Sequence, residues 1–164
     1  MRLVFSPTLC PDALLPAVLD LATTAGFTHL ELFRAQTQST PVHDDWSVPM
    51  VRAAIAAAGL TLSGFNIRNL TGRKADSDER NLNYNLRQLE WDIHLGRALG
   101  LKEMNTRGGA RTAEAREDLI EGIDKLLTNV PDITVNLGNQ KDNRLQTLAD
   151  YQAVLPQLHD RARV

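Results

Sequence analysis

The sequence predicts an α/β fold built on a parallel β-sheet, and three observations support this prediction. Five short runs have the composition of β-strands, and amphipathic helical patterns separate them. Successive runs begin roughly 25–40 residues apart, which is the length of a strand, a loop, a helix and a second loop. Because parallel sheets bind ligands at the carboxyl ends of their strands, functional residues are expected there. The predicted strands are residues 3–6, 29–33, 60–68, 102–107 and 133–137.

Five helices are predicted between and after these strands. Ser47 and Thr112 are suitable N-cap residues for the second and fourth helices, and Gly59 and Gly100 end the second and third. The last residues, 161–164, resemble the approach to a sixth strand that the chain does not reach. We therefore expect one domain, residues 1–164, that stops before strand six. The predicted helices are residues 11–25, 48–59, 79–99, 113–129 and 148–158.

The composition narrows the possible partners. The net charge of −2 predicts no basic surface for nucleic acid or for an anionic membrane. A single cysteine, Cys10, excludes an internal disulfide and argues against a thiolate metal cluster. The apolar runs are much shorter than the roughly 20 residues that a membrane-spanning helix requires. A cytoplasmic location is expected.

Polar residues fall on the same face of successive predicted strands. Because side chains alternate along a strand, the apolar residues assign one face to the helices and the polar residues to the other. We expect the polar side chains to converge, since burying them separately without partners would cost about 1–3 kcal/mol each. The alternative is that some lie in solvent and that Glu31 or Asn66 only binds neighbouring backbone. The polar set is Glu31, Asn66, Arg68, Asn105 and Asn136, and Arg107 lies on the same predicted face of its strand as Asn105.

A glycine-containing turn follows the fourth predicted strand. Its sequence is RGGAR, residues 107–111, and it leads directly to the predicted N-cap Thr112. Backbone N–H groups before a helix could hold a phosphate, although this segment is not a Walker loop. A solvated turn is the alternative interpretation.

Four segments together resemble the sugar phosphate isomerase/epimerase family with the xylose-isomerase-like barrel. They are AGFTHLELF, RAAIAAAGLTLSGFN, LRQLEWDIHLGRALGLKEMNTRGG and ITVNLGNQKDNRLQTLADYQAVL. The resemblance implies a (β/α)₈ TIM barrel, of which this chain would supply about five strand–helix units. It also implies a divalent metal (Mn²⁺, Mg²⁺ or Zn²⁺) and isomerisation or epimerisation of a sugar by proton or hydride movement next to its carbonyl.

The sequence departs from the family pattern at the metal site. Asn136 occupies the position at which the family usually has a glutamate ligand, and the remaining ligands of the family come from strands six to eight. The resemblance therefore implies an incomplete ligand set in this chain. It places Glu31 and Asn136 near the reacting centre, with Asn136 as the metal ligand. Asn66, Arg68, Asn105 and Arg107 are the predicted substrate-binding residues.

Two functions remain open at this point. The first is a sugar or sugar-phosphate isomerase or epimerase of carbohydrate metabolism, in which Arg68 or Arg107 holds an anionic substrate. The second is a non-catalytic or truncated barrel that binds a polyol or only assembles with a partner. Both allow a homo-oligomer, because an open parallel sheet has unpaired edges.

Overall fold

The computed structural model describes residues 3–10, 12–33, 47–70 and 80–163. They form two compact units. The first unit contains Met1–Asn66 and His94–Leu101, and the second contains Ile67–Ile93 and Lys102–Val164. No helix in the described part of the chain is long and apolar enough to cross a bilayer. The single domain over residues 1–164 stays a prediction.

The first unit contains two parallel strands and the helices that precede each of them. Helix α1 (Leu15–Thr24) leads to strand β1 (His29–Phe33), and helix α2 (Val48–Ala57) leads to strand β2 (Thr61–Asn66). Helix α1 begins later than predicted because Leu14 is extended and Pro16 favours the first turn of a helix.

The predicted strand at residues 3–6 is wrong in extent. Only Phe5 pairs, in one parallel bridge to Leu30: its N–H donates to the His29 carbonyl at 2.9 Å, and its carbonyl accepts from Glu31 N–H at 3.0 Å. Leu3 is 65% exposed. The physical reason is that Pro7 begins a short 3₁₀ turn immediately afterwards, so the chain leaves the sheet after a single rung.

A β-bulge interrupts the ladder between β1 and β2. Leu30 pairs with Leu62, but Glu31 pairs with Gly64, so Ser63 is an additional residue on β2. The Ser63 hydroxyl donates to the Leu30 carbonyl at 3.3 Å. Beyond the bulge, Leu32 pairs with the buried Phe65. The bulge therefore determines which side chains of β2 share a face with Glu31.

The second unit contains three parallel strands in chain order. Asn105 of β3 pairs with Asn136 of β4, and Asn136 in turn pairs with Arg163 of β5. Ala162–Arg163 forms a two-residue strand on β4, at the position where the sequence predicts the approach to a sixth strand. The elements are α3 (Arg80–Ala98, whose last turn belongs to the first unit), β3 (Glu103–Arg107), α4 (Ala113–Asn129), β4 (Thr134–Gly138), α5 (Leu148–Val154) and β5.

The predicted alternation of buried and accessible residues is confirmed on these strands. On β3, Met104 and Thr106 are buried, whereas Asn105 is half-buried. On β4, Val135 and Leu137 are buried on either side of the half-buried Asn136. Apolar residues of α4 complete the core of this unit: Ala115, Leu119, Ile123, Leu126 and Leu127.

Gly122 allows α4 to lie close to Leu70. A Cβ atom added at Gly122 would lie 3.1 Å from both terminal methyl carbons of Leu70 and 3.4 Å from a methyl carbon of Leu86. We expect Gly122→Val to lower the free energy of unfolding by about 2 kcal/mol, because it overpacks a filled core. Urea denaturation measures the change. Thr128→Val, at an exposed position on the same helix, is the matched control and should change stability little.

Candidate functional site

The centre of the candidate site in the second unit is a pair of hydrogen-bonded amides. Asn105 and Asn136 lie opposite each other on neighbouring parallel strands, and both are half-buried. The Asn136 side chain donates from Nδ2 to Asn105 Oδ1 at 3.1 Å. The pairing fixes the two amides side by side, and each contains both a donor and an acceptor. Such a pair suits a ligand with neighbouring hydroxyl groups.

Charged residues lie on either side of this amide pair on the same face. Two positions earlier on β3, Glu103 lies 4.0 Å from Arg163 of β5, measured between Oε1 and Nη1. Two positions later, Arg107 lies opposite Gly138 of β4. The face therefore has an ion pair towards the amino ends of the strands and an arginine at their carboxyl ends.

The predicted role of Arg68 is not supported by its geometry. Strand β2 ends at Asn66 rather than at residue 68, so Arg68 lies beyond the paired residues of β1 and β2. The Arg68 side chain instead contacts α3, where Nε lies 3.5 Å from Asp92 Oδ2 and Nη1 donates to Gln88 Oε1. The Arg68 backbone N–H also donates to Asp92 Oδ2, at 3.1 Å. Asp92 is fully buried, so this ion pair fixes Arg68 to the helix rather than beside the asparagines.

Glu31 and Asn66 lie in the first unit. Glu31 is half-buried opposite Gly64 and takes part in a polar interaction, and Asn66 is half-buried opposite Phe33. Their pairing places them on the same face of the β1–β2 pair, as the alternation predicts. Their convergence with the two asparagines of the second unit stays a prediction.

Sequence reasoning missed an ion pair beside the RGGAR turn. Arg111 donates to Asp150 from both guanidinium ends, at 2.7 and 3.1 Å. Asp150 also accepts from the Gln146 and Thr147 N–H groups and from the Thr147 hydroxyl, at 3.1, 2.7 and 2.9 Å. The spacing Thr147–x–x–Asp150 is the signature of a capping box and could have indicated half of this cluster.

The ion pair has a clear electrostatic consequence. The hydrogen bonds from Arg111 and then from the Thr147 backbone hold the pKa of Asp150 well below its usual range. The same bond raises the pKa of Arg111. The Arg111 guanidinium is thus engaged with a carboxylate, and Thr112 caps α4 by accepting from Ala115 N–H at 3.1 Å. These contacts favour a structural role for the turn over phosphate binding.

The described donor groups of the second unit do not form a site for a divalent metal. Among the residues that the structure describes, no three His, Cys, Asp or Glu side chains lie together as a metal site requires. Asn136 could offer only one neutral amide oxygen, and its nitrogen is already bonded to Asn105. Magnesium and zinc sites in proteins normally include carboxylate, imidazole or thiolate ligands.

The fold matches many solved structures, although neither a family model nor a curated protein sequence matches the chain. The IolI protein with bound zinc has a TM-score of 0.76 and 16% identity over 99% of this chain. L-ribulose 3-epimerase has a TM-score of 0.76 and 18% identity over 98% of this chain. A xylose isomerase-like TIM barrel protein from Mycobacterium smegmatis in complex with magnesium has a TM-score of 0.62 and 22% identity over 93%.

The chain spans only part of each of these proteins. It covers 61% of the IolI protein, 58% of the epimerase and 56% of the Mycobacterium smegmatis protein. Identities this low establish the fold alone, and that fold agrees with the alternation of strands and helices described above. The chain therefore has the α/β fold of the xylose isomerase-like TIM barrels, and its five parallel strands and alternating helices correspond to part of such a barrel.

Proposed function

We propose that the protein binds a sugar or sugar phosphate and acts as an isomerase or epimerase on it. The observation that carries the proposal is the Asn105–Asn136 amide pair on the polar face of the second unit. Amides present donors and acceptors together, which is the pattern that neighbouring hydroxyl and carbonyl groups of a sugar require. Two solved structures with a similar fold, L-ribulose 3-epimerase and D-psicose 3-epimerase, are named as sugar epimerases. They support the general class of a sugar isomerase or epimerase.

The chemistry that we assign to this chain is proton transfer next to a carbonyl. In this proposal Glu31 accepts the proton from the carbon beside the sugar carbonyl and returns it to the former carbonyl carbon, while the hydroxyl proton moves to the former carbonyl oxygen. Asn136 and Asn105 hold the carbonyl and hydroxyl oxygens, so that negative charge developing on the carbonyl oxygen meets an amide N–H. Asn66 holds a further hydroxyl. No step is assigned to Arg68, because Asp92 and Gln88 bind its side chain.

Two of the matched structures contain a divalent metal. The zinc of the IolI structure and the magnesium of the Mycobacterium smegmatis structure belong to those proteins. The described donors of this chain do not fit such an ion, so protein side chains alone carry the proton transfer and hold the sugar oxygens. The predicted metal-ligand role of Asn136 is accordingly replaced by the amide–hydroxyl contacts above.

A second candidate is ligand binding without turnover. The observation that favours it is again that no cluster of three His, Cys, Asp or Glu side chains lies within the described ranges 3–10, 12–33, 47–70 and 80–163. In that case the amide pair would still bind a polyol, but Glu31 would not act on it. Assembly with a second copy of the chain, which stays a prediction, is compatible with both candidates.

Calorimetric titration with D-fructose, D-psicose and L-ribulose tests binding. We expect Asn136→Ala and Asn105→Ala each to weaken the affinity about 5- to 10-fold, since each removes about 1 kcal/mol of hydrogen bonding. Asn129→Ala is the matched control, because Asn129 is exposed on α4 and bonds only to Glu90 among described residues. Equal weakening by all three variants, or no binding by the unmodified protein, would contradict the proposal.

Solvent deuterium exchange separates the two candidates. An isomerase that works through Glu31 should incorporate deuterium from D₂O next to the sugar carbonyl, as NMR would show, and Glu31→Gln should abolish the incorporation. Binding that depends on Asn136 but is accompanied by no incorporation would select the non-catalytic candidate. Glu114→Gln, at an exposed position on α4, controls for the loss of one carboxylate.

A further inference from the structure

Arg107 carries the one guanidinium on the polar face of the second unit that the described contacts do not neutralise. Arg163 on that face lies 4.0 Å from Glu103. Away from the face, Arg68 is paired with Asp92 and Arg111 with Asp150. Arg107 is exposed and has no ion pair or hydrogen bond from its side chain within the described part of the chain. Its positive charge is thus available to a ligand.

The residue opposite Arg107 leaves space beside this charge. Gly138 pairs with Arg107 across the β3–β4 ladder, and a Cβ atom added to Gly138 would lie 3.9 Å from Arg107 Cγ. The stem of Arg107 therefore lies next to a position that has no side chain. A methyl group fits there at ordinary contact distances, the nearest atom being the Thr106 carbonyl oxygen at 3.7 Å. A branched side chain would compete with the Arg107 stem for the same space.

The Arg107–Gly138 rung lies two residues beyond the Asn105–Asn136 rung on the same face. Along a parallel strand this separation is about 6.6 Å. In a short acidic sugar, the distance between a hydroxyl group and the terminal anionic group is comparable to this separation. Arginine recognises planar and tetrahedral oxyanions through two parallel N–H donors.

We propose that Arg107 and Gly138 form an oxyanion subsite, and that the ligand is an acidic sugar rather than a neutral one. The inference rests on the proposed function, since the Asn105–Asn136 pair must hold the sugar hydroxyls. Arg107 binds the terminal phosphate or carboxylate group, and Gly138 determines specificity by leaving room for it. The backbone conformation at residue 138 does not require glycine, because its φ is not positive.

Calorimetric titration with D-fructose, D-fructose 6-phosphate and D-glucuronate tests the subsite at low salt. We expect one of the two acids to bind at least 10-fold more tightly than D-fructose, and the preferred acid identifies the oxyanion. Arg107→Gln should lower the affinity for the preferred acid about 10-fold, to about the affinity for D-fructose. Gly138→Leu should do the same, whereas Gly138→Ala should keep the preference. Arg87→Gln, at an exposed arginine on α3, is the matched control.

The outcomes separate this inference from the proposed function. Equal affinity for all three sugars, with no effect of Arg107→Gln, would overturn the oxyanion subsite and leave the amide pair intact. Failure of all three sugars to bind would overturn both. Thermal unfolding of each variant shows whether it folds, and Arg107→Gln and Gly138→Ala decide the result if Gly138→Leu does not fold.

Discussion

Replacing Asp150 by alanine is expected to lower the free energy of unfolding by about 3 kcal/mol. The Asp150 carboxylate accepts two bonds from Arg111 and three from the turn before α5, so its removal disrupts an ion pair and a helix cap together. We expect the lower end of the range for a broken buried pair, because the Arg111 side chain is 40% exposed and water can replace its partner. Urea denaturation measures the change.

Asp124→Ala is the matched control for this prediction. Asp124 is exposed on α4, and its replacement should change the unfolding free energy by less than about 0.5 kcal/mol. Similar losses from the two variants would mean that the Arg111–Asp150 pair contributes nothing specific. Arg111→Met should reproduce only part of the loss, since the bonds from Thr147 and Gln146 to the carboxylate remain.

The same pair predicts a loss of stability in acid. Because the pKa of Asp150 is lowered in the folded protein, its contribution is complete above the pKa of an unfolded aspartate, which is near 4. The contribution decreases as the pH falls below about 4 towards the lower pKa of the folded state. The difference in unfolding free energy between the unmodified protein and Asp150→Ala should therefore be smaller at pH 3 than at pH 6. A difference that is the same at both values would contradict the assignment.

The second large effect is expected at Arg161. Its guanidinium donates to three backbone carbonyls: Leu127, Val130 at 2.7 Å and Ile133 at 2.8 Å. Two of these carbonyls belong to the end of α4, where a helix leaves acceptors without partners. Arg161→Met keeps most of the apolar stem and removes every donor. We expect a loss of about 3 kcal/mol in unfolding free energy, because several acceptors lose a charged donor at once.

Hydrogen exchange measures the local part of this effect. The Val135 N–H donates to the Arg161 carbonyl at 3.1 Å, which joins β4 to the segment that contains β5. In Arg161→Met the Val135 amide should exchange faster, whereas the Thr134 amide, which bonds to the Lys102 carbonyl, should change less. Arg161→Lys should recover little stability, since a point charge cannot reach three carbonyls. Arg87→Met controls for the loss of an exposed arginine, and full recovery by lysine would contradict the argument.

The alternation of apolar and polar residues predicted the strands that pair regularly with their neighbours. Alternating apolar residues gave β1, β3 and β4 to within one residue, since these strands have one helix-covered face and one polar face. The same alternation predicted that Asn105 and Asn136 share a face, and the hydrogen bond between them confirms it. These predictions succeed because a period of two residues is a property of the strand itself.

The errors concern features that depend on distant partners. Arg68 fits the alternation of its segment, but a carboxylate 24 residues later, on α3, binds it instead. Likewise Arg111 meets Asp150 across 39 residues, and no local pattern of charge relates the two. The two residues of β5 are too few to show a period, so the pairing of Ala162 with Val135 had no signal in the sequence. The convergence of Glu31 and Asn66 with the asparagine pair stays a prediction.

The bulge at Ser63 has a consequence for how this gene can vary. Residues two apart on a regular strand, such as Leu62 and Gly64, would face the same side of the sheet. Because these two pair with the consecutive residues Leu30 and Glu31, they face opposite sides. Deleting the codon for Ser63 would restore a regular ladder without turning Glu31 or Asn66 to the other face. A one-residue insertion or deletion between the bulge and the end of β2 would turn Asn66 to the other face. Natural relatives should therefore tolerate a one-residue gap at this position more readily than at any other position in the strand.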